Sequence, residues 1–487
     1  MKLGFALAAL VLSAALPVCV SAQTLTNLKH QPPDGAIITM QMTDGTVLAQ
    51  GGNDNDWWQL TPDNTGSYVN GTWTQVASLP AGYSPYAQAE AVLADGRLVI
   101  SGGEYNFGEF AFTNQSAIYD PVANTWSMIK PPKGWSNIGD APSIVLPNGQ
   151  FVVGYKFATK MAALDPKTLK WTALKSIGKN GKMIAEEGWV LQPDGTFLTV
   201  DVKAHPLSER YYPATGNWFN EGKTATVDLR GAQNCCGNCI PYGKNNQKCY
   251  DPPGETGSAI RRPDGTVFAT GSTPDGSNVA STAIWTPPQS GKKGTWTAGP
   301  NFPNNDQAFD SPSSILPNGN VLVLGYNSGT FYEFDGKNLN KTSLSGFANT
   351  LMPLPTGEVL VGGYAVYKST GTYQASWAPT ISSSPSTVTR GQTYQISGTQ
   401  FNGLNQGGAF GDEFDTHTNY PLVRVTNTAT GHVFYWRTHD HSTMGIATGS
   451  TTVSTNFDVP SAMETGAAQL VVVANGIPST SVAVTVQ

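Results

Sequence analysis

The sequence predicts an all-β protein, in which a seven-bladed β-propeller is followed by a smaller β-sandwich. Its composition suits short strands joined by turns, because 53 of its 487 residues are Gly, 33 are Pro and only 13% are charged. A hairpin motif recurs seven times, and the C-terminal part alternates between apolar and polar residues. The low charge and the 12 Trp, 18 Tyr and 19 Phe exclude a disordered chain, and the excess of Gly and Pro excludes a helical bundle.

Residues 1–22 have the pattern of a secretory signal peptide. Lys2 supplies a positive start, residues 4–16 form a short apolar region, and residues 20–22 (Val-Ser-Ala) offer small side chains for cleavage. The apolar region is shorter than the roughly 20 residues that span a membrane, and no other stretch of the sequence approaches that length. We therefore expect a secreted or periplasmic protein without a membrane span.

The charge of the chain bears on its partners. Loss of residues 1–22 removes one lysine and no acidic residue, so the formal net charge changes from −6 to −7. A mildly acidic chain without a cluster of Lys or Arg is not expected to bind nucleic acid or anionic lipid. We expect a monomer that meets an extracellular carbohydrate or a cell-surface ligand.

The propeller is predicted for residues 23–378, where the hairpin motif recurs. Each copy has apolar residues around a turn of the Asp-Gly or Asn-Gly type, as in AVLADGRLVISGG and SIVLPNGQFVVGY. Both turn residues accept positive φ at low cost, which favours tight hairpins. A second hairpin follows, often ending in Trp, as in IYDPVANTW, and four such strands in about 50 residues are typical of a kelch-type blade. The turn glycines are Gly45, Gly96, Gly149, Gly195, Gly265, Gly319 and Gly357.

An insertion between Gly195 and Gly265 contains four clustered cysteines. An even, clustered set in an oxidising compartment predicts two disulfides, and a bond between the two adjacent cysteines is disfavoured because it strains the peptide. A thiolate metal site is the alternative, although a second close pair of cysteines is missing for it. The insertion could shape a ligand site or cover a sheet edge. The four cysteines are Cys235, Cys236, Cys239 and Cys249.

The sandwich is predicted for residues 387–487, after a linker at 379–386 that is rich in Ser and Pro. Segments such as HVFYWRT, QLVVVANG and TSVAVTVQ alternate with a period of two, which indicates strands that are buried on one face. About seven such strands suggest an immunoglobulin-like sandwich.

The order of a signal peptide, kelch-like repeats and a terminal sandwich resembles the galactose oxidase-like proteins, whose C-terminal module is an early-set domain. The stretches of the sandwich that match are LVRVTN at 422–427, THDHSTMG at 438–445 and FDVPSAMETGAAQLVVVANGIPS at 457–479. The resemblance implies the same two-part fold. For the oxidases of the family, it also implies one copper held by two His and two Tyr, with a Cys–Tyr crosslink.

Only some of the copper ligands that the resemblance implies have a matching residue in this sequence. The resemblance matches the sandwich histidine to His439, which would then lie near the propeller axis, and the crosslinked tyrosine to Tyr86. Phe347 and Ala348 stand near the place where a Tyr-His pair is implied, and no Cys lies between residues 23 and 234. We therefore expect no copper-radical cofactor, since a shared fold does not carry chemistry with it.

Four of the six histidines outside residues 1–22 lie within residues 417–441. His439 and His441 would face the same side of a strand, where two imidazoles can share a metal ion. We treat them as candidate ligands of a single ion, copper, zinc or calcium. The alternative is that they hydrogen-bond loops at the junction of propeller and sandwich.

Acidic residues recur a few positions before the turn in six of the seven repeats. They lead into the innermost strands, so we expect them to surround one mouth of the central channel, where repulsion would raise some pKa values. Such a ring could bind a cation or act as acid and base on a sugar, or it could simply hydrogen-bond backbone amides. The acids are Asp34, Glu90, Asp140, Glu186 with Glu187, Glu255 and Asp310. The candidate catalytic residues are Asp140, Glu187, Asp310 and His439.

Aromatic residues in or near predicted loops could stack on sugar rings, or could pack between blades. They are Trp57, Trp58, Tyr83, Tyr86, Tyr105, Phe107, Phe110 and Trp135. The sequence thus supports a protein that binds an extracellular carbohydrate or surface partner. The alternative is a carbohydrate-active lyase, hydrolase or atypical oxidase that uses the acidic mouth and the C-terminal histidines, so catalysis is left open.

Overall fold

The structure is a computed structural model that describes residues 22–52, 55–231, 240–242, 248–250, 253–274, 277–289 and 293–487. Within these ranges the regular elements are β-strands and three short 3-10 helices, at Asn180–Lys182, Pro303–Asn305 and Ala375–Trp377. None of the helices described there is long and apolar enough to cross a membrane. The all-β class is therefore confirmed.

Two predictions fall wholly or largely outside the described ranges. Nearly all of the signal peptide does so, as do Cys235, Cys236 and Cys239. Cys249 lies in the strand Lys248–Tyr250, which pairs with Ile240–Tyr242, but its side chain is not described. The two disulfides stay a prediction.

Among the described residues, seven antiparallel sheets follow one another in sequence, and in each of them four strands are hydrogen-bonded in a meander. The first strand of each sheet is the innermost. The sheets consist of Ile38–Gln41, Val47–Gln50, Trp57–Thr61 and Thr72–Val76; Ala89–Val92, Leu98–Ser101, Ser116–Asp120 and Thr125–Ile129; Ser143–Val145, Phe151–Gly154, Met161–Asp165 and Lys170–Leu174; Val190–Leu191, Phe197–Val200, Leu207–Tyr212 and Asn217–Lys223; Ala259–Arg261, Val267–Thr270, Thr282–Thr286 and Thr295–Ala298; Ser313–Ile315, Val321–Leu324, Thr330–Phe334 and Leu339–Ser345; and Leu351–Pro353, Val359–Val361, Ala365–Lys368 and Thr24–Asn27.

The turn glycines of the repeat lie where the sequence predicts them, between the first and second strand of each sheet. All seven have positive φ, from 78° at Gly195 to 90° at Gly265. A side chain would strain the backbone in this region, so glycine is the natural residue there. In the first turn the Asp44 carboxylate also accepts the backbone N–H of Thr46 at 3.0 Å, which fixes the turn locally.

The seven sheets form a closed ring. The innermost strand of the first sheet lies against those of both the second and the seventh sheet. The N-terminal strand Thr24–Asn27 pairs antiparallel with Ala365–Lys368, so the two ends of the ring share one sheet. Closure leaves only short sheet edges exposed.

Apolar cores fill the space between neighbouring sheets. Trp57 of the first sheet packs on Trp126 of the second with ring centroids 4.8 Å apart. Phe268 and Phe334 stack at 3.7 Å between the fifth and sixth sheets. These contacts fix the angle between sheets, and therefore the position of the residues at the inner ends of the strands.

The C-terminal module consists of two sheets that enclose a core containing Trp436 and Phe457. Exposure alternates along Val453–Asp458, as the period of two predicts. One sheet has the order Thr380–Ser383, Thr393–Thr399, Val453–Asp458 and Thr438–His439. The other has the order Thr387–Val388, Val482–Val486, Gly466–Ala474, Leu422–Asn427 and Val433–Trp436, with Ile477–Pro478 added on Gly466–Ala474.

Residues 402–421 leave this module and enter the centre of the ring; we call them the axial segment. They contact the innermost strands of sheets on opposite sides of the ring, so they fill the channel. The strand Gly408–Ala409 pairs with Ser313–Ile315 of the sixth sheet, and the Tyr420 hydroxyl donates to the Gln41 carbonyl of the first sheet. The Leu191 N–H of the fourth sheet donates to Gln406 Oε1 at 2.6 Å. The Thr416 hydroxyl donates to the Leu351 carbonyl of the seventh sheet at 3.2 Å.

Candidate functional site

The two ends of the ring have different surroundings. At one end the turns of the repeats touch the C-terminal module, since the Thr438 N–H donates to the Thr43 carbonyl and the His441 N–H donates to the Ala94 carbonyl, both at 3.1 Å. At the other end the innermost strands begin and the axial segment makes its own turn, where Phe414 N–H donates to the Gln88 carbonyl at 3.4 Å. We call this second end the mouth.

Seven carboxyl groups lie within electrostatic reach of one another at the mouth. Four of them occupy the same place in the repeat, shortly before an innermost strand, which is why sheets three to six deliver them to one spot. One follows the second strand of the second sheet, and two come from the axial segment. They are Glu104, Asp140, Glu186, Glu255, Asp310, Asp412 and Glu413.

Lys156 is the basic residue that the described structure places in ion-pair contact with this cluster. Its Nζ pairs with a carboxylate oxygen of Asp140 and of Glu186, and it lies 3.8 Å from Glu104 Oε1. Its side chain is only 1% exposed, and Nζ is 5.1 Å from the centre of the Phe112 ring. In the described part of the chain, one ammonium therefore lies in ion-pair contact with a cluster of seven carboxyl groups.

Burial raises the pKa of several of these carboxyl groups. Desolvation, followed by repulsion from neighbouring acids, raises the pKa of Asp310 to about 6, although its residue reaches solvent at the rim. Desolvation raises the pKa of Glu104 to about 7 against the opposing effect of Lys156. Desolvation also raises the pKa values of Asp140, Glu255 and Glu413 well above the usual range of a carboxyl group.

Protons are therefore shared within the cluster near neutral pH. Glu255 and Asp310 hydrogen-bond through their side chains, as do Asp412 and Glu413. A hydrogen bond between two carboxyl groups requires a proton on one of them. Such coupled groups titrate as sets rather than singly.

One carboxylate of the axial segment has an unused acceptor. Asp412 is 6% exposed, and its buried Oδ2 has no hydrogen-bond partner among the described residues. Oε2 of Glu255 is buried and unpartnered in the same sense. A buried polar atom without a partner is unfavourable, so a ligand that donates hydrogen bonds here would remove a cost.

Aromatic rings form one wall of the mouth. A small sheet of Pro85–Tyr86, Tyr105–Asn106 and Glu109–Phe110 holds part of this wall. Tyr86, Phe107 and Phe110 are 37%, 40% and 47% exposed. The rings touch in sequence from the axis outward: Phe414 to Tyr86 at 5.1 Å, Tyr86 to Tyr105 at 5.8 Å, Tyr105 to Phe110 at 5.6 Å, and Phe110 to Phe112 at 4.9 Å.

A cavity of about 330 Å³ opens beside this wall, lined by Tyr86, Tyr105 and Phe107 together with the polar side chains of Gln50 and Ser84. The hydroxyl of Tyr86 interacts with Glu413 and Asp310 and hydrogen-bonds Asn349, and desolvation raises its pKa to about 12. Tyr86 thus joins the aromatic wall to the acidic cluster.

Of the candidate catalytic residues, Asp140 and Asp310 come together at the mouth, but Glu187 does not. Its Oε1 accepts a hydrogen bond from Lys179 at 3.0 Å, and Lys179 also pairs with Asp201 at 2.6 Å and Glu209 at 2.7 Å, in a buried ion cluster within the fourth sheet. Glu186 reaches the mouth instead. The backbone bends at Glu186, so the side chains of these two adjacent residues go to different places.

Two more of the predicted acids also stand apart from the cluster. Glu90 is fully buried beside Asp415 of the axial segment, and burial and that neighbour raise its pKa. Asp34 lies against the backbone of Gly51 and Gly52. The expected ring of six acids is therefore an arc that the axial segment completes.

The structure places His439 at the turn end of the ring rather than near the mouth. The innermost strands separate the two ends, at about 3.3 Å for each of their residues. His439 Nδ1 lies 2.8 Å from Asp440 Oδ2 and its Nε2 lies 3.2 Å from Asp458 Oδ1, so each ring nitrogen is in hydrogen-bond contact with a carboxylate. His439 therefore cannot act together with Asp140 or Asp310.

The two candidate metal ligands do not share one face of a strand. Asp440 between them has a φ of 52°, which ends the strand at His439 and breaks the alternation. His441 turns inward, 8% exposed, and its Nδ1 contacts the Thr455 hydroxyl at 2.8 Å. In the ranges that the structure describes, no group of three or more His, Cys, Asp or Glu is arranged to hold a metal ion.

The residues matched to copper ligands do not fit such a site. Among them, Tyr86 alone lies at the mouth with a donor atom. Phe347, which is 67% exposed, and Ala348 carry no donor on their side chains.

Lys156, Glu104 and the role of the axial segment were missed by the sequence reasoning. Lys156 had a signal, since it interrupts the apolar run FVVGYKF, where a charged side chain must find a partner. The acids of 411–415 are visible in the sequence, but nothing local indicates that this loop enters a ring formed by residues far away in the chain.

Comparison with known proteins supports the fold. No known protein-family profile matches the chain. A stretch is 25% identical over 122 residues to the kelch-like protein terF of Aspergillus terreus, covering 22% of this chain and 26% of that protein. Another is 26% identical over 169 residues to the N-acetylneuraminate epimerase of Haemophilus influenzae, covering 33% of this chain and 40% of that protein. The matches thus span well under half of these curated relatives.

Among solved structures, a fungal alcohol oxidase of the AA5 family, in complex with copper, is similar over 96% of this chain and 100% of its own. The TM-score is 0.52 and the sequence identity 13%. The chain therefore has a kelch-type, galactose oxidase-like propeller fold. At this identity the similarity shows the fold alone.

Proposed function

We propose that this protein is a secreted, galactose oxidase-like kelch protein that binds an extracellular carbohydrate at the mouth, without copper-radical chemistry. The seven meander sheets of residues 23–378 are the blades of a seven-bladed propeller, and residues 387–487, after the linker 379–386, are an immunoglobulin-like early-set domain. The signal pattern of residues 1–22 supports export to the periplasm or the medium. The protein acts as a monomer.

The observation that carries this proposal is that Tyr86, which lines the cavity together with Tyr105 and Phe107, also interacts with Glu413 and Asp310 of the acidic cluster. A sugar presents C–H faces and a rim of hydroxyl groups. Tyr86, Phe107 and Phe110 offer rings for the faces, and the acids of the mouth offer acceptors for the hydroxyl donors. A site of this kind is mostly apolar with a few polar groups that fix orientation.

Binding to a panel of oligosaccharides, measured by calorimetry on the full chain, tests the proposal. We expect Phe110→Ala to weaken binding at least tenfold, because it removes a ring that is 47% exposed at the mouth. Met128→Ala is the matched control, since Met128 is 44% exposed on the outermost strand of the second sheet. No binding across the panel, or equal losses in both variants, would refute the proposal.

A second candidate function is a carbohydrate-active lyase or hydrolase. It is favoured by the raised pKa values of Asp310, about 6, and Glu104, about 7, because such groups hold a proton near neutral pH and can transfer it. New reducing ends or absorbance of unsaturated products would show turnover, and Asp310→Asn should abolish it. Binding without any product would leave the mouth as a binding site.

A further inference from the structure

We propose that the mouth selects carbohydrates that carry positively charged amino groups, such as oligosaccharides of glucosamine. The inference rests on the proposed function, because it names the ligand class of the same site. It begins with the charge of the mouth, where the described residues place seven carboxyl groups around the ammonium of Lys156. Some of these groups hold protons near neutral pH, and the ionised remainder gives the mouth its negative charge. Lys156 is held between Asp140 and Glu186, and its charge offsets only part of the cost of burying Asp310, whose pKa is still raised to about 6.

The unused acceptors point to a ligand that donates several hydrogen bonds from one atom. Asp412 and Glu255 each share a hydrogen bond with a neighbouring carboxyl group, but Asp412 Oδ2 and Glu255 Oε2 are buried and have no other hydrogen-bond partner among the described residues. An ammonium group has three N–H donors and no acceptor, whereas a neutral hydroxyl donates one. Hydrogen bonds between an ammonium and a carboxylate are also stronger than those between neutral groups.

The aromatic wall suits a cation as well as a sugar face. The Lys156 ammonium lies 5.1 Å from the centre of the Phe112 ring, so the wall already holds one cation in this way. Phe110 continues the wall beyond Phe112 and is 47% exposed, and Tyr86 carries it to the acids. A protonated amino sugar could therefore meet rings on one side and carboxylates on the other.

The same charges disfavour other carbohydrates. A uronic acid or another anionic sugar would bring a carboxylate towards Asp310 and Asp412, and repulsion in a partly buried site is costly. A neutral sugar would leave the excess negative charge in place. A calcium ion could bind the same carboxylates instead, so the test also includes calcium chloride.

The test compares two hexasaccharides on the full chain by calorimetry at pH 6, one of glucosamine and one of N-acetylglucosamine. They differ mainly in whether the amino groups are free and charged. We expect the glucosamine form to bind at least tenfold more tightly. Asp310→Asn and Asp412→Asn should each weaken that binding several-fold, while Glu464→Gln, in the C-terminal module beside His432, should not.

The outcomes separate this inference from the proposed function. Equal or tighter binding of the N-acetylated form would overturn the inference but leave carbohydrate binding in place. Equal losses in Glu464→Gln and Asp412→Asn would show nonspecific attraction to an acidic protein, and would overturn it. Calcium chloride that raises the melting temperature only when Asp412 is intact, with neither sugar bound, would assign the mouth to a metal. Failure of every oligosaccharide to bind would overturn both proposals.

Discussion

Replacement of Lys179 by methionine should destabilise the propeller strongly at neutral pH. Lys179 Nζ lies 3.0 Å from Glu187, 2.6 Å from Asp201 and 2.7 Å from Glu209, and none of these side chains is more than 1% exposed. Methionine keeps the size of the side chain but leaves three buried carboxyl groups without a cation. Removal of one partner from a buried ion pair costs about 3–5 kcal/mol.

The loss should depend on pH in a defined direction. Burial already raises the pKa of Glu187 well above its usual range and that of Glu209 to about 7, against the opposing effect of Lys179, so loss of the ammonium should raise both further. Groups of this kind oppose folding once pH exceeds their unfolded pKa, near 4, so the variant should recover stability as pH falls towards that value. The wild type should show a smaller change, because Lys179 compensates the same groups.

Denaturant unfolding followed by Trp fluorescence measures this effect, since the Lys179 ammonium lies 5.2 Å from the ring centre of Trp218. Lys170→Met, on the exposed outer strand of the third sheet, is the control, and we expect a change within about 0.5 kcal/mol. A loss below about 1 kcal/mol at pH 7 in Lys179→Met, or a loss that does not vary with pH, would show that the lysine does not compensate these carboxylates.

Three further predictions concern the turns, the axial segment and the mouth. Gly45→Ala should lower stability by more than the roughly 1 kcal/mol of a strained positive φ, because its Cβ would overlap the Tyr435 ring; denaturant titration checks this, with Gly82→Ala as the uncrowded control. Tyr420→Phe should cost about 1–3 kcal/mol by removing the donor to a buried carbonyl, and an unchanged unfolding midpoint would contradict that contact. Asp310→Asn should raise the melting temperature at pH 8 but not at pH 4, because only the ionised carboxylate is penalised in the fold; equal shifts at both pH values would refute the raised pKa of about 6.

The fold could be predicted from sequence because its signals are local and repeated. Each Asp-Gly or Asn-Gly turn, such as that at Gly45, needs only neighbouring residues to specify a hairpin. The period of two in Val453–Asp458 records burial on one face in the same way. Each sheet must bury its apolar faces against neighbouring sheets. Seven copies of one motif are therefore compatible with few folds, and a closed ring of sheets is one of them.

The site could be predicted only where it follows the repeat. Asp140 and Asp310 both lie shortly before an innermost strand. Because they occupy the same position in the repeat, the sequence predicts that they lie at the same end of the ring. The choice between Glu186 and Glu187 depends on a single residue of register, which the spacing before each turn does not fix. His439 was placed near the axis by resemblance, whereas the positive φ at Asp440 and the packing of the module against the turns decide its position.

The axial segment shows the limit of local reasoning most clearly. Asp412 and Glu413 acquire their place from contacts with sheets that are distant in sequence. A Cβ at Gly188, for example, would meet the carbonyl oxygen of Gly411 at 2.5 Å. Such long-range contacts leave no periodic pattern in the residues that make them.

Hydrogen–deuterium exchange of the full chain, with and without a bound oligosaccharide, tests the central claim most directly. If the mouth is the binding site, the ligand should slow exchange in residues 84–112 and 408–414, which carry the aromatic wall and the turn of the axial segment. Slower exchange around the turn at 94–96 and at His439 to His441, with none at 408–414, would place the ligand at the opposite end of the ring and contradict the account.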